Sequence, residues 1–358
     1  MTEFSSSDWA ARKAAFAAQR AAQVVWSELE PTDVIGYRKN GSPIFPVIGG
    51  AADNFDDWIP EEMDSAVIQR VNQVSAVMAW GRHTPMGSAT KKVPRSSGME
   101  VKTLNKSGQY TASNDENDDV LLTARKHTGL LTVAEEDLND SAADIIAAKE
   151  IDWATSYGKY FDNATLAVSA AENAPTVPYT SVYRALTQSN ATTGYTANHN
   201  IIGTVTVGEV AYDELSEALG RYEDGDYFDE SLSVVIAHPT FRKQLRNIKD
   251  DQGQPIFVRG QGGDAGTPDT VFDLPVKWSN GCRINATASQ SPSGAPIMVF
   301  ANKDFLIIGD RSNVETQPIP AAISTTDEAN VKIRDRKGFA IGHEKAFAVL
   351  IDNGSALS

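Results

Sequence analysis

The sequence carries one cysteine, Cys282, in 358 residues. An internal disulfide and a thiolate metal cluster are therefore both out of reach, and a reducing compartment suits the chain. Histidine is almost as scarce. His83, His127, His199, His238 and His343 are scattered, with no pair at i, i+4, so the spacing of a metal site is missing. No P-loop and no Gly-x-Ser-x-Gly elbow occurs, which removes two common routes to phosphate and acyl chemistry. Long apolar runs are also absent. Nothing approaches the ~18–20 residues needed to span a bilayer. The opening Met1-Thr2-Glu3-Phe4 and its three serines lack the basic-then-apolar order of a secretory signal. The expectation is a soluble intracellular chain with no catalytic residues, no cofactor, no metal and no membrane partner.

Positive charge is in deficit. Lys and Arg total 32 against 47 Asp and Glu, a net charge of −15. Such a chain repels nucleic acid and anionic membranes overall. What is present suits a folded core: 41% of residues are hydrophobic and 22% charged, and the length allows two domains or one with large extensions.

The chain starts with a block at residues 8–30, where Asp8 can cap an alanine-rich helix that Pro31 closes. Alanine forms helices well but buries little area, so this block reads as an arm needing a partner surface. Residues 31–58 form a Gly/Pro/Asp-rich connection. A second helix is expected from Pro60, with Met63, Val67, Val71, Val74 and Met78 at helical spacing. Residues 82–133 change character. Residues 99–104 and 120–133 read as two extended runs around a polar tip, a long hairpin with too few apolar residues to hold itself down. It is electrically split: six Lys or Arg and one acid lie between Arg82 and Lys106, whereas residues 114–119 hold four acids and no base. Opposite charges along one appendage suit docking to a neighbour in fixed register.

Residues 134–171 read as one long helix with seven acids in its first half and Ile146, Trp153, Tyr157, Phe161, Ala164 and Val168 on one face. After a Thr/Asn/Gly/Pro-rich connection at 174–205, Thr206-Val207-Gly208-Glu209 makes a capping box for a helix whose stripe is Val210, Leu215, Leu219 and Tyr222. A short strand at 232–237 precedes a helix opened by His238-Pro239, with Phe241, Leu245 and Ile248 inward. Strands are expected at 271–278, 297–301, 305–309, 314–317 and 329–336, and an extended run at 338–350. Helices and strands interleave without a regular βαβ period, so the class is α+β. The glycine cluster at 260–265 lacks a following helix and reads as a surface loop. The acidic run at 115–119 lacks the glycine and closing glutamate of a calcium loop, and Cys282 reads as simply packed.

This order of elements resembles the major capsid protein of tailed phages, the Hong Kong 97 capsid fold. The residues that carry the likeness are Val234 to Phe257, VVIAHPTFRKQLRNIKDDQGQPIF, similar to that family's strand, "NP" turn, helix and "D.G..I" segment. Leu274-Pro275-Val276 resembles its "G-L-P-V" strand, and Val331 to Leu350, VKIRDRKGFAIGHEKAFAVL, its closing strands. The likeness covers residues 59–351, and order and spacing carry it more than any single motif.

The resemblance implies an N-terminal arm at 1–59 and a peripheral domain with a spine helix from 60–81, 134–174 and 311–340. It implies an extended loop at 82–133 lying across the adjacent subunit, and an axial domain from 175–310 and 341–358. It implies a major capsid protein that self-assembles, as hexamers and pentamers, into an icosahedral shell around the double-stranded DNA of a tailed phage. That DNA is enclosed without specific binding, and the shell is assembled in the bacterial host cytoplasm. A portal, and scaffold or decoration proteins, would be partners. An encapsulin-type nanocompartment shell is the alternative on the same fold. Candidate inter-subunit contacts are Trp9, Phe16 and Trp26 in the arm, Arg95, Lys102, Lys106, Asp115, Glu116, Asp118 and Asp119 in the loop, and Arg334 and Arg336 in the closing strands. Some members of the family link subunits covalently through a loop-tip lysine. Residues 109–119 contain none, so shells held by packing and ion pairs alone are expected. The 58 residues ahead of Ile59 are short for the scaffolding region that many members shed.

Overall fold

The computed structural model describes residues 36–37, 39, 43–44, 74–96, 101–110, 112, 118–134, 145–249, 253, 270–319 and 328–354. The chain divides into two compact units, Met1–Asp64 and Ser65–Ser358. In the first, β1 (Gly36–Tyr37) pairs antiparallel with β2 (Pro43–Ile44). The two strands flank Asn40-Gly41, a dipeptide suited to a hairpin turn inside a stretch that composition marks only as a connection. The helix expected at residues 8–30 lies outside the described residues.

In the second unit, α1 (Ala76–Trp80) leads into β3 (Arg82–Pro85), then β4 (Thr90–Arg95), β5 (Asp118–Thr123) and β6 (Arg125–Ala134). The long helix α2 (Ile145–Leu166) and the short α3 (Val182–Leu186) follow, then β7 (Ile201–Gly203), α4 (Tyr212–Glu223), β8 (Ser233–Ala237) and α5 (Phe241–Asn247). The chain closes with β9 (Thr270–Val271), β10 (Leu274–Trp278), β11 (Ile297–Asn302), β12 (Leu306–Ile319), β13 (Glu328–Ile341) and β14 (Phe347–Ile351).

A six-stranded mixed sheet runs β7-β14-β11-β8-β10-β9. Strands β8, β11 and β14 are buried at every position, which is why they read as unbroken apolar runs. Alternation sorts them onto two faces. Val234, Ile236, Val299, Phe347 and Val349 share one core with Phe161, Ala164, Tyr179, Val182 and Leu186. Val235, Phe300, Ala348 and Leu350 share another with Leu215, Ala218, Tyr222, Phe241 and Leu245 of α4 and α5. Helices thus cover both faces.

A four-stranded sheet runs β3-β12-β13-β6. One of its faces lies on α2. Gly129 sits so close to Trp153 that an added Cβ would fall 2.5 Å from the indole ring. The Tyr157 hydroxyl donates to the fully buried Asp335 of β13 at 2.8 Å. Trp153 and Tyr157 stack at 4.9 Å.

A buried carboxyl on α2 joins the parts. Asp162 has no exposed surface. Its Oδ1 accepts from the Ser75 hydroxyl at 2.5 Å and the Val77 N–H at 3.1 Å. Its Oδ2 accepts from the Ala76 N–H at 2.9 Å and the Ser279 hydroxyl at 2.6 Å. Burial pushes this carboxyl above its ordinary range, and the four donors pull it back. The next residue, Asn163, donates to the carbonyls of Gly281 and Arg283 and accepts from the Ser289 N–H. Gly281 permits that approach, since a Cβ there would lie 2.6 Å from the Lys159 carbonyl oxygen.

Several expectations are corrected. The helix read through Val74 does not include it: Val74 is 64% exposed and Ser75 is the N-cap, because Asp162 draws Ser75 and the first two helical N–H groups to itself. The residues from Pro60 to residue 73 lie outside the described ones. Of the extended run at 99–104, residues 101–104 form no strand. The ladder falls earlier, at Thr90–Arg95, where Val93 can pack on Met86, Leu122 and Ile307. The run at 120–133 is two strands, split at Ala124, because β6 pairs with β13 and leaves β5 to β4. Ala134 ends β6 and does not begin a helix. The helix ends at Leu166, ahead of residue 171, because Asn285 bridges to Val168 and bonds Ser169. The acids at 135–144 lie outside the described residues.

The capping box at 206–209 is not used. Gly208 donates to Asp352 in a turn at φ +82°, α4 starts at Tyr212, and Glu214 accepts from the Val205 and Ala211 N–H groups. The 174–205 connection is packed, burying Tyr179, Val182, Leu186, Tyr195 and Ile201. The run at 271–278 is broken by Phe272 and Asp273, both at positive φ. Those at 305–309 and 314–317 fuse into β12, and the run at 338–350 divides between β13, a 3-10 turn at Glu344–Ala346 and β14.

Asp162→Ala should lower unfolding free energy by roughly 3 kcal/mol or more, since two hydroxyls and two N–H groups lose their acceptor together. Ser279→Ala should cost about 1 kcal/mol. Urea titration of the subunit reads both, and an Asp162→Ala change within about 0.5 kcal/mol of the parent would remove Asp162 from this role.

Candidate assembly interface

The hairpin is built at its root and open beyond it. In the β4–β5 ladder Arg95 lies opposite Asp118 and Lys92 opposite Leu121. Arg95 reaches Asp118 at 2.6 Å and the Gly342 carbonyl at 3.0 Å, and Lys92 reaches Asp119 at 2.6 Å. The Asp119 N–H and the Arg95 guanidinium hold the Asp118 carboxyl below its usual range. Three of the predicted contact residues, Arg95, Asp118 and Asp119, are therefore engaged within their own chain. Leu122 packs beneath against Met86 and Ile307, fully buried. Among the described residues past Arg95, 101–110 are exposed. Residues 101–105 make no ladder, Val101 is 94% and Tyr110 93% exposed, and Lys102 and Lys106 are exposed too. Asp115, Glu116, Trp9, Phe16 and Trp26 lie outside the described residues.

The second surface is the outward face of the four-stranded sheet. Strand alternation turns Val331, Ile333 and Asp335 toward α2 and Lys332, Arg334 and Arg336 outward. The register sets Lys332 against Leu130, Arg334 against Thr128 and Arg336 against Lys126. Four cations thus line one face of an acidic protein. Its acids are Glu315, held by Arg334 at 2.7 Å, and Glu328 at the far end. Leu130, 66% exposed, stands among them. The structure brings the predicted Arg334 and Arg336 onto one surface, while Lys102 and Lys106 sit on the unladdered limb.

Behind that face lies a polar layer that reading the sequence missed. His127 points from β6 into a ring of Tyr157, Tyr160, Phe161 and Tyr179. Tyr179 donates to the Lys337 carbonyl at 2.7 Å, which leaves its oxygen to accept from His127 Nε2 at 2.8 Å. Lys337 reaches Asp310 at 2.7 Å, and Asp310 holds His83 at 2.6 Å. Burial, aided by Lys337, lowers His127 to about 4. The signal available in the sequence was His127 at an inward position of an alternating strand. His238 and His343 are also buried and lowered to about 4, desolvation leading in each. His343 stacks on Tyr227 at 4.0 Å. Cys282 is fully buried, and burial pushes its thiol up. Among the described residues no group of His, Cys, Asp or Glu is placed to hold a metal, and no helix is long and apolar enough to cross a membrane.

The three histidines fix a direction of pH dependence. Each is depressed in the fold, so the unfolded chain binds more protons between pH 6.5 and 4. Stability is fully present above pH 6.5 and falls toward pH 4, by up to about 3 kcal/mol for a histidine as buried as His127. Urea midpoints should drop between pH 6.5 and 5, ahead of most carboxylates. His127→Gln should flatten that slope, and an unchanged slope would show that His127 titrates normally in the fold.

No curated protein matches the chain at a significant level. Solved structures do. A chain from Microbacterium phage Oxtober96 is 17% identical, covers 83% of this chain and 97% of its own length, and aligns with a TM-score of 0.63. A chain from Mycobacterium phage Bobi is 16% identical over 84% of this chain and 98% of its own, with a TM-score of 0.64. One from the capsid of a native GTA particle is 14% identical over 85% and 99%, with a TM-score of 0.63. These likenesses establish the fold that the sequence motifs implied. The family model described as the phage capsid family matches residues 56–351, nearly the stretch expected from the motifs, and the chain belongs to that family.

Proposed function

We propose that this capsid subunit closes its shell by laying the part of the 82–133 loop beyond the β4–β5 ladder across an adjacent copy, whose basic sheet face receives the acids Asp115 and Glu116. As a phage major capsid protein it builds a multimeric shell, and the family favours that over an encapsulin-type compartment. The observation that supports loop docking is a limb that cannot bury itself. Val101 and Tyr110 are more than nine-tenths exposed, and apolar area of that kind stays unsatisfied until a neighbour covers it. The complement supports it too. Asp115 and Glu116 follow Tyr110 with no base between residues 107 and 119, and Lys126, Lys332, Arg334 and Arg336 face outward.

In the same reading the arm at 1–59 brings Trp9, Phe16 and Trp26 to a neighbour, and Lys102 and Lys106 meet its acids. The peripheral domain, from 60–81, 134–174 and 311–340, takes in α2 and most of β12 and β13, and the ends of the 82–133 stretch, β3 and β6, complete its four-stranded sheet. The six-stranded sheet with α4 and α5 is the axial domain, from 175–310 and 341–358, meeting its copies in hexamers and pentamers. Strands β12 and β13 run unbroken through the boundaries at 310 and 340, so the two domains share strands. A charge of −15 per copy supports a wall that encloses double-stranded DNA without gripping it. The role is structural and not enzymatic. Assembly belongs in the host cytoplasm, with a portal and any scaffold or decoration proteins as the remaining partners.

The purified chain should form closed particles under negative-stain microscopy. Arg334→Glu with Arg336→Glu should cut particle yield at least tenfold while leaving the circular dichroism of the subunit unchanged. A compact monomer at high concentration would overturn the proposal, and particles formed normally by the double variant would remove the basic face from it.

A further inference from the structure

Sheet edges are where extended chains bind, because an edge strand leaves about half of its backbone groups unpaired. Nearly every edge among the described residues is blunted. The six-stranded sheet ends in β7, three residues long, and β9, two residues long. The four-stranded sheet ends on one side in β3, four residues closed by Pro85, and beyond it the β12–β13 ladder shifts register near Ser312 and β12 carries Pro318. The β4–β5 ladder contains Pro94 and two aspartates.

The other end of the four-stranded sheet is different. Strand β6 is ten residues long, holds no proline, and pairs with β13 through ten successive residues without a shift. Its first residue, Arg125, is tied to Glu172 and the Pro178 carbonyl. From Lys126 onward no backbone group outside the β13 ladder has a partner among the described residues. Such an edge invites strand addition.

Resting on the reading that the loop crosses a neighbour, we infer that β6 is the seat of that contact: residues 107–117 of a second copy, the stretch ahead of β5, add to it as a fifth strand. Three observations select this occupant. The segment carries Asp115 and Glu116 and no base, and the face beside β6 carries Lys126, Lys332, Arg334 and Arg336. Tyr110 and Leu130 are both exposed, and an aromatic and an aliphatic residue on neighbouring strands form a stabilising cross-strand pair. The lengths also agree, since the 11 residues of 107–117 extend about 36 Å as a strand and the ten of β6 about 33 Å.

Hydrogen exchange on assembled shells and on unassembled subunits of the native chain tests this. The outward amides of residues 126–133 should exchange at least tenfold more slowly in shells, together with amides of residues 107–112. Slowing in the loop alone would place the loop elsewhere on the neighbour, sinking strand addition and sparing loop docking. Slowing in neither segment would sink both. A second measurement uses Tyr110→Cys with Leu130→Cys. Oxidised shells should give a ladder of multimers on denaturing gels, whereas each single variant should not, because Cys282 is buried. Shells of the double variant that run only as monomers would overturn the pairing, and a ladder from Leu130→Cys alone would mean that two β6 edges meet instead.

Discussion

The fold of Ser65–Ser358 depends on one carboxyl. Asp162 accepts four hydrogen bonds from two separated stretches of chain: Ser75–Val77 at the start of α1 and Ser279 in the turn after β10. A buried carboxyl is tolerated only where donors replace water, so both stretches and α2 are held to positions that serve it at once. Helix α1 has five residues, far below the length at which a helix stands alone. It exists because Ser75 and Asp162 together take the N–H groups of Ala76, Val77 and Met78. Strand β3 leaves from the end of that helix, so the first strand of the four-stranded sheet is placed by a residue whose other donor, Ser279, directly follows β10 of the six-stranded sheet. Asn163 repeats the device one residue later through the carbonyls of Gly281 and Arg283.

Much of this was legible. Strands β8, β11 and β14 announce themselves because both faces are covered, and continuous apolar runs of that length need no partner residues to be recognised. Helix α5 follows from Phe241, Leu245 and Ile248, all buried, and the stripe of α4 from Leu215, Leu219 and Tyr222, with Val210 buried just ahead of the helix. What escaped has a common cause. Asp162, Asn163, Asp335 and His127 are polar side chains in the interior, and periodicity assigns polar residues to the surface unless a partner is known. Their partners lie up to 178 positions away, beyond any local pattern. The 174–205 stretch fails for a related reason. Its Thr/Asn/Gly composition masks Tyr179 and Tyr195, whose hydroxyls find backbone partners and let the loop pack.

The charges of the hairpin and of β13 were legible in sign and not in pairing. The charge split of the hairpin is visible in the sequence, yet Arg95 and Asp118 face each other across the β4–β5 ladder, which no composition argument distinguishes from a contact to a neighbour. Register decides it. The same register places Lys332, Arg334 and Arg336 on one face, an arrangement that two-residue periodicity does announce once β13 is taken as a strand.

A chain at −15 resists meeting its own copies, and that resistance bears on how contacts are arranged. If acids were spread evenly, every approach of two subunits would cost about the same and orientation would be undetermined. Concentrating four cations on one face makes a single approach favourable against a repulsive background, and like-charge contacts elsewhere penalise every other one. Each exposed ion pair is worth only about 0–1 kcal/mol, too little to hold a shell by itself. Specificity therefore comes from charge, and strength must come from surface that is apolar or hydrogen-bonding and still uncovered. On this subunit Leu130 and the edge of β6, unpaired among the described residues, stand beside Arg334 and Arg336.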